Sequence, residues 1–64
     1  MKAQAGRQTN PRRRGHRLKR LAYELGALAE DAARDGFASA ANGLRQAAQS
    51  AAYAGEAYLK GAQE

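Results

Sequence analysis

Thr9 is the only β-branched residue in the chain, which contains no valine and no isoleucine. Strands draw on such side chains to pack a pleated surface, whereas the alanine, leucine, glutamate, glutamine, lysine and arginine that dominate here favour helix. The fold class is therefore all-α. What remains open is how helices can pair with so little bulk, because the apolar inventory is seventeen Ala, six Leu, three Tyr, one Phe and one Met. Cysteine is absent and His16 is the single histidine, so neither disulfides nor a Cys/His metal site can staple the fold.

Residues 1 to 9 have no periodic apolar face, and Asn10-Pro11 then reads as a helix start, with Asn as cap and Pro in the first helical position. Two features oppose an early start. Gly15 costs about 1 kcal/mol inside a helix, and arginines at a helix N-terminus face the positive end of its dipole. Residues 11 to 16 are accordingly expected to be helical only conditionally, with firm helix from about His16 or Arg17.

From there Leu18, Leu21, Ala22, Leu25, Leu28, Ala29 and Ala32 recur at spacings of three and four, an apolar stripe more than four turns long. The stripe stops at Gly36, which suits a left-handed cap, and Phe37 is expected to fold back onto Ala32 or Ala33. A second periodic run, with Ser39 as its cap, carries Phe37, Ala40, Ala41, Leu44, Ala47, Ala48, Ala51, Ala54, Gly55 and Tyr58 on one face. Small residues on a seam let helix backbones approach closely, and Gly26, Gly43 and Gly55 are candidate points of contact. The expected architecture is an antiparallel hairpin of two helices, about 16–35 and 38–61, with residues 1–15 as a basic N-terminal arm and 16–64 as the hairpin domain. A lone hairpin leaves much of its seam wet, so pairing of two copies into a four-helix bundle is the natural completion.

Charge divides the chain sharply. Residues 1 to 20 hold eight basic residues and no acid, while residues 21 to 64 hold three basic and six acidic ones. Such asymmetry points to a polyanionic partner for the basic segment. The candidate nucleic-acid contacts are Arg7, Arg12, Arg13, Arg14, Arg17, Lys19 and Arg20, with support from Lys2. Guanidinium groups stay charged and offer paired donors to phosphate oxygens or guanine edges. If the helix extends back to Pro11, then Arg13, Arg17 and Arg20 form one row. No aromatic is interleaved with them, so recognition of single strands by stacking has little support and the choice between DNA and RNA stays open.

No catalytic constellation is visible: His16 has no carboxylate close by to orient it, adjacent Glu30 and Asp31 diverge on a helix, and the glycines are scattered singly. The expectation is a non-enzymatic accessory or regulatory protein without cofactor, metal or small-molecule substrate. It is expected to act in the cytoplasm, because the chain has neither a secretory signal pattern nor an apolar run long enough for a bilayer. The alternative is a protein-interaction module, a small inhibitor or assembly factor whose hairpin docks on a larger protein with an acidic surface. Tyr23, Tyr53 and Leu59 fall off the apolar stripes and are candidates for a partner interface.

Overall fold

The computed structural model describes residues 10–63, and these form two helices, α1 (Pro11–Arg34) and α2 (Ala38–Gln63), packed against each other as a hairpin. Asn10 sits in extended conformation and its side-chain Oδ1 accepts a hydrogen bond from the Arg13 amide at 3.1 Å. Pro11 takes the first helical position, where its missing N–H leaves nothing unsatisfied. The chain turns at Gly36, whose φ of 86° lies in the left-handed region. There the Phe37 amide donates to the Ala32 carbonyl at 2.9 Å and the Gly36 amide to the Ala33 carbonyl at 3.1 Å, the bond pair of a Schellman closure. This turn is where the sequence predicts it.

The start of α1 differs from expectation. Helix runs unbroken from Pro11 through Gly15, five residues ahead of the anticipated boundary at residue 16. The reason is tertiary: Gly15 is buried at the point where α1 meets α2. A Cβ placed on Gly15 would lie 2.6 Å from Leu59 Cγ and 3.0 Å from the Gly55 carbonyl oxygen, and one on Gly55 would lie 3.0 Å from the Gly15 carbonyl oxygen. Contact with α2 thus holds the first turns helical despite the glycine and the arginines at a dipole's positive end. Of the anticipated contact glycines, Gly55 takes that role, whereas Gly26 and Gly43 face open space.

The seam is narrower than the apolar stripes. On α1 it follows Gly15, Leu18, Ala22, Leu25, Ala29 and Ala32, and on α2 Ala41, Leu44, Ala48, Ala51, Ala52, Gly55, Leu59 and Ala62, all buried or half-buried. The α1 set alternates steps of three and four and the α2 set does so apart from the adjacent Ala51 and Ala52, so small residues recur every seven, at 15, 22 and 29 on α1 and at 41, 48, 55 and 62 on α2. Leu59, expected off the stripe, lies in this seam beside Gly15. Conversely Leu21, Leu28, Phe37, Ala40, Ala47 and Tyr58, expected in the seam, are exposed. Ser39 lies inside α2 rather than at its cap, since the helix starts at Ala38 and the Ala41 amide already bonds the Phe37 carbonyl.

Close packing through small residues has a consequence for the core. Among the described residues the only buried hydrophobic side chains are those of Ala29 and Ala41, and no larger side chain is fully buried. Every leucine keeps part of its surface in water, and the burial that usually offsets chain ordering is thin. No helix among the described residues is long and apolar enough to cross a membrane.

Candidate nucleic-acid interface

Because the Asn10 cap and the Gly15 contact draw residues 11 to 15 into α1, the basic cluster is displayed on a helix rather than on an extended segment. At 3.6 residues per turn, Arg13, Arg17 and Arg20 follow one line along the side turned away from the seam, with Arg12 and His16 to one side of it and Arg14 to the other. All of these residues are exposed. Between Pro11 and Arg20 there are six basic residues and no acid, so three turns of helix present an uninterrupted positive surface. Lys2 and Arg7 lie outside the described residues.

One member of the predicted set is directed elsewhere. Lys19 Nζ donates to Glu56 Oε2 at 2.8 Å, an ion pair that bridges α1 and α2 beside the Gly15–Gly55 contact. The hydrogen bond and charge of Lys19 hold the Glu56 carboxyl below its ordinary range. Lys19 therefore also serves the scaffold, tying α1 to α2 at the exposed surface. The second ion pair among the described residues joins Arg34 to Asp31 within the last turn of α1. Neither pair involves Arg12, Arg13, Arg17 or Arg20.

Beside the arginine line lies an open groove of about 670 Å³, lined by Arg14, Arg17, Arg20 and Glu24, with Leu18, Leu21 and Tyr58 supplying its apolar part. Tyr58 thus enters the neighbourhood of the basic cluster from α2, which spacing along α1 alone does not reveal. On the opposite flank a smaller groove runs beside Tyr23, Glu30 and Arg45. Tyr23 and Tyr53 are 79% and 78% exposed, in keeping with their places off the stripes. The three predicted partner-interface residues therefore separate, since two are open and Leu59 is committed to the seam. No group of three or more metal-ligating side chains occurs among the described residues.

Compared with protein-family models, curated proteins and solved structures, the chain finds no match in any of the three.

Proposed function

We propose that this chain is a non-enzymatic accessory or regulatory protein that binds the phosphate backbone of nucleic acid in the cytoplasm through the start of α1 and the basic segment before it. Two copies joined in a four-helix bundle would present two basic surfaces. The observation that carries the reading is the exposed line of Arg13, Arg17 and Arg20, flanked by Arg12 and Arg14, on a helix whose start is fixed by the Asn10 cap. A helical strip of guanidinium groups suits phosphates arrayed along a groove.

Fluorescence anisotropy with labelled DNA and RNA, single- and double-stranded, over a series of salt concentrations tests this. On a single copy, five arginines each neutralising one phosphate give a slope of log K against log salt of about −3.5 on single strands to −4.5 on duplex DNA. Changing Arg12, Arg13, Arg17 and Arg20 together to Ala should abolish binding. Absence of any binding near physiological salt overturns the reading.

A second reading is favoured by the wide exposure of Tyr23 and Tyr53. In it the hairpin is an inhibitor or assembly module whose aromatic flank docks on a larger protein, the basic residues steering it to an acidic surface. Loss of that partner on changing Tyr23 and Tyr53 to Ser, with no nucleic-acid binding in any buffer, would establish it over the first.

A further inference from the structure

Taken at alternating steps of three and four, α1 carries a row that runs Arg14, Arg17, Leu21, Glu24, Leu28, Asp31 and, at its cap, Asp35. Its first four residues line the groove with Tyr58, and all seven are exposed. Its two bases stand at one end, its last two acids at the other, and its leucines between. Turned end for end, such a row meets itself with opposite charge: Arg14 comes opposite Asp35, Arg17 near Asp31, and Leu21 opposite Leu28.

We propose that a second copy of this chain docks on this face, with the two α1 helices antiparallel and a two-fold axis passing beside Glu24 and Leu25. The proposal rests on the dimer suggested above and specifies its interface. Two observations carry it. The first is apolar: Leu21 and Leu28 remain 44% and 51% exposed, and among the described residues no side chain larger than alanine is fully buried within one hairpin. An isologous contact brings four leucines together and shields the half-buried Leu18 and Leu25 at their edge.

The second observation is electrostatic and selects the occupant. The first half of α1 holds bases and no acid, while Leu21 to Asp35 holds four acids against Arg34 alone, which pairs with Asp31 and leaves the segment net acidic. Antiparallel pairing sets basic half against acidic half twice, whereas parallel pairing stacks Arg14 and Arg17 on their own copies. A nucleic acid on the same row would meet Asp31 and Asp35, and an acidic protein surface would meet them too. Near the axis the two Glu24 side chains approach each other, and Arg20, which lines the same groove, supplies the countercharge. Arg12 and Arg13 stay outside the contact and continue to face solvent.

Sedimentation velocity of the full chain, free of nucleic acid and from low to high micromolar concentration, reads the contact directly. A dimer that follows mass action is expected. Leu21→Glu with Leu28→Glu should weaken it at least tenfold, and because neither side chain is buried within the hairpin, helical circular dichroism at the highest concentration should persist. Arg14→Glu with Arg17→Glu, and separately Asp31→Lys with Asp35→Lys, should each dissociate, and mixing the two variants should restore a mixed dimer. Orientation is read by oxidation: Leu21→Cys mixed with Leu28→Cys should yield the mixed disulfide in excess over either variant linked to itself. A wild-type monomer throughout, a dimer indifferent to these changes, or self-linked Leu21→Cys predominating would overturn the proposal. Its failure is separable from that of nucleic-acid binding, because a monomer that still binds DNA or RNA sinks only the interface, and a dimer that binds neither sinks only the nucleic-acid reading.

Discussion

Gly15 and Gly55 face each other across the hairpin so closely that a Cβ on either would stand 3.0 Å from the other's carbonyl oxygen, with Leu59 Cγ at 2.6 Å from the first and Lys19 Cγ at 2.9 Å from the second. The contact anchors one end of the seam. Stepping 14 residues along α1 and 14 back along α2 leads from this pair to Ala29 and Ala41, the two buried alanines, so one register governs the hairpin.

Substituting these glycines should therefore run against helix propensity. Gly→Ala in an open helical position stabilises by roughly 0.5–1 kcal/mol, and Gly26 and Gly43 have nothing near a new Cβ, so both substitutions should raise the melting midpoint. Gly15→Ala would push against Leu59 Cγ and backbone at Gly55, and should destabilise by about 1–3 kcal/mol despite the better propensity. Thermal melts followed by circular dichroism give the signs. A rise for Gly15→Ala would show that the helices do not approach as closely as they do here.

The two ends of α1 are set by local devices that can be removed singly. Asn10→Ala deletes the acceptor for the Arg13 amide and should cost about 1 kcal/mol, with fraying confined to the first turns where the arginines sit. Gly36→Ala must adopt a positive φ and should cost roughly 1–2 kcal/mol. Backbone amide exchange distinguishes them: the first change should speed exchange near Arg14, the second near Phe37 and the start of α2.

The features that sequence reasoning reached are those with short-range causes. Two helices, their ends to within two residues at Gly36, and the open placement of Tyr23 and Tyr53 all follow from spacing, capping residues and a glycine suited to a left-handed turn. What it missed depends on the partner helix. Gly15 reads as a helix breaker until Gly55 and Leu59 are seen opposite it, and then it becomes the reason that the helix starts at Pro11. Likewise the α1 stripe contains four leucines, but only Leu18 and Leu25 share the seven-residue repeat of Gly15, Ala22 and Ala29, and that narrower repeat could have singled out Leu21 and Leu28 as the exposed pair. The basic cluster is plain in the sequence, whereas the pairing of Lys19 with Glu56 needs the register between helices.

Stability should carry an acid-sensitive component from that pair. The folded-state pKa of Glu56 is lowered from the ordinary value of 4.5, chiefly by its hydrogen bond to Lys19. A depressed carboxyl pKa stabilises above the unfolded value and loses the contribution as pH falls through the folded one. Wild type should therefore melt above Glu56→Gln at neutral pH, and the gap should close as the solution is acidified below about pH 4. Both side chains are largely exposed, so added salt should narrow the gap at neutral pH as well. A gap unchanged from neutral to acid pH would mean that the pair does not form in solution.

The same pair separates scaffold from binding surface among the basic residues. If Arg13 meets a phosphate, Arg13→Ala should reduce the steepness of the salt dependence by about 0.7–0.9, one counterion's worth, while leaving the melting midpoint nearly unchanged. Lys19→Ala should do the reverse, lowering the midpoint slightly and leaving the slope alone, because its ammonium is already held by Glu56 at 2.8 Å. Glu56→Gln then makes the sharpest comparison: it frees Lys19 without touching the arginines, and should tighten binding and steepen the slope by up to about 0.9. Anisotropy titrations of the three variants on one duplex decide the matter. Equal effects of Arg13→Ala and Lys19→Ala on the slope would show that the polyanion draws Lys19 away from Glu56 and that the cluster binds as undifferentiated charge.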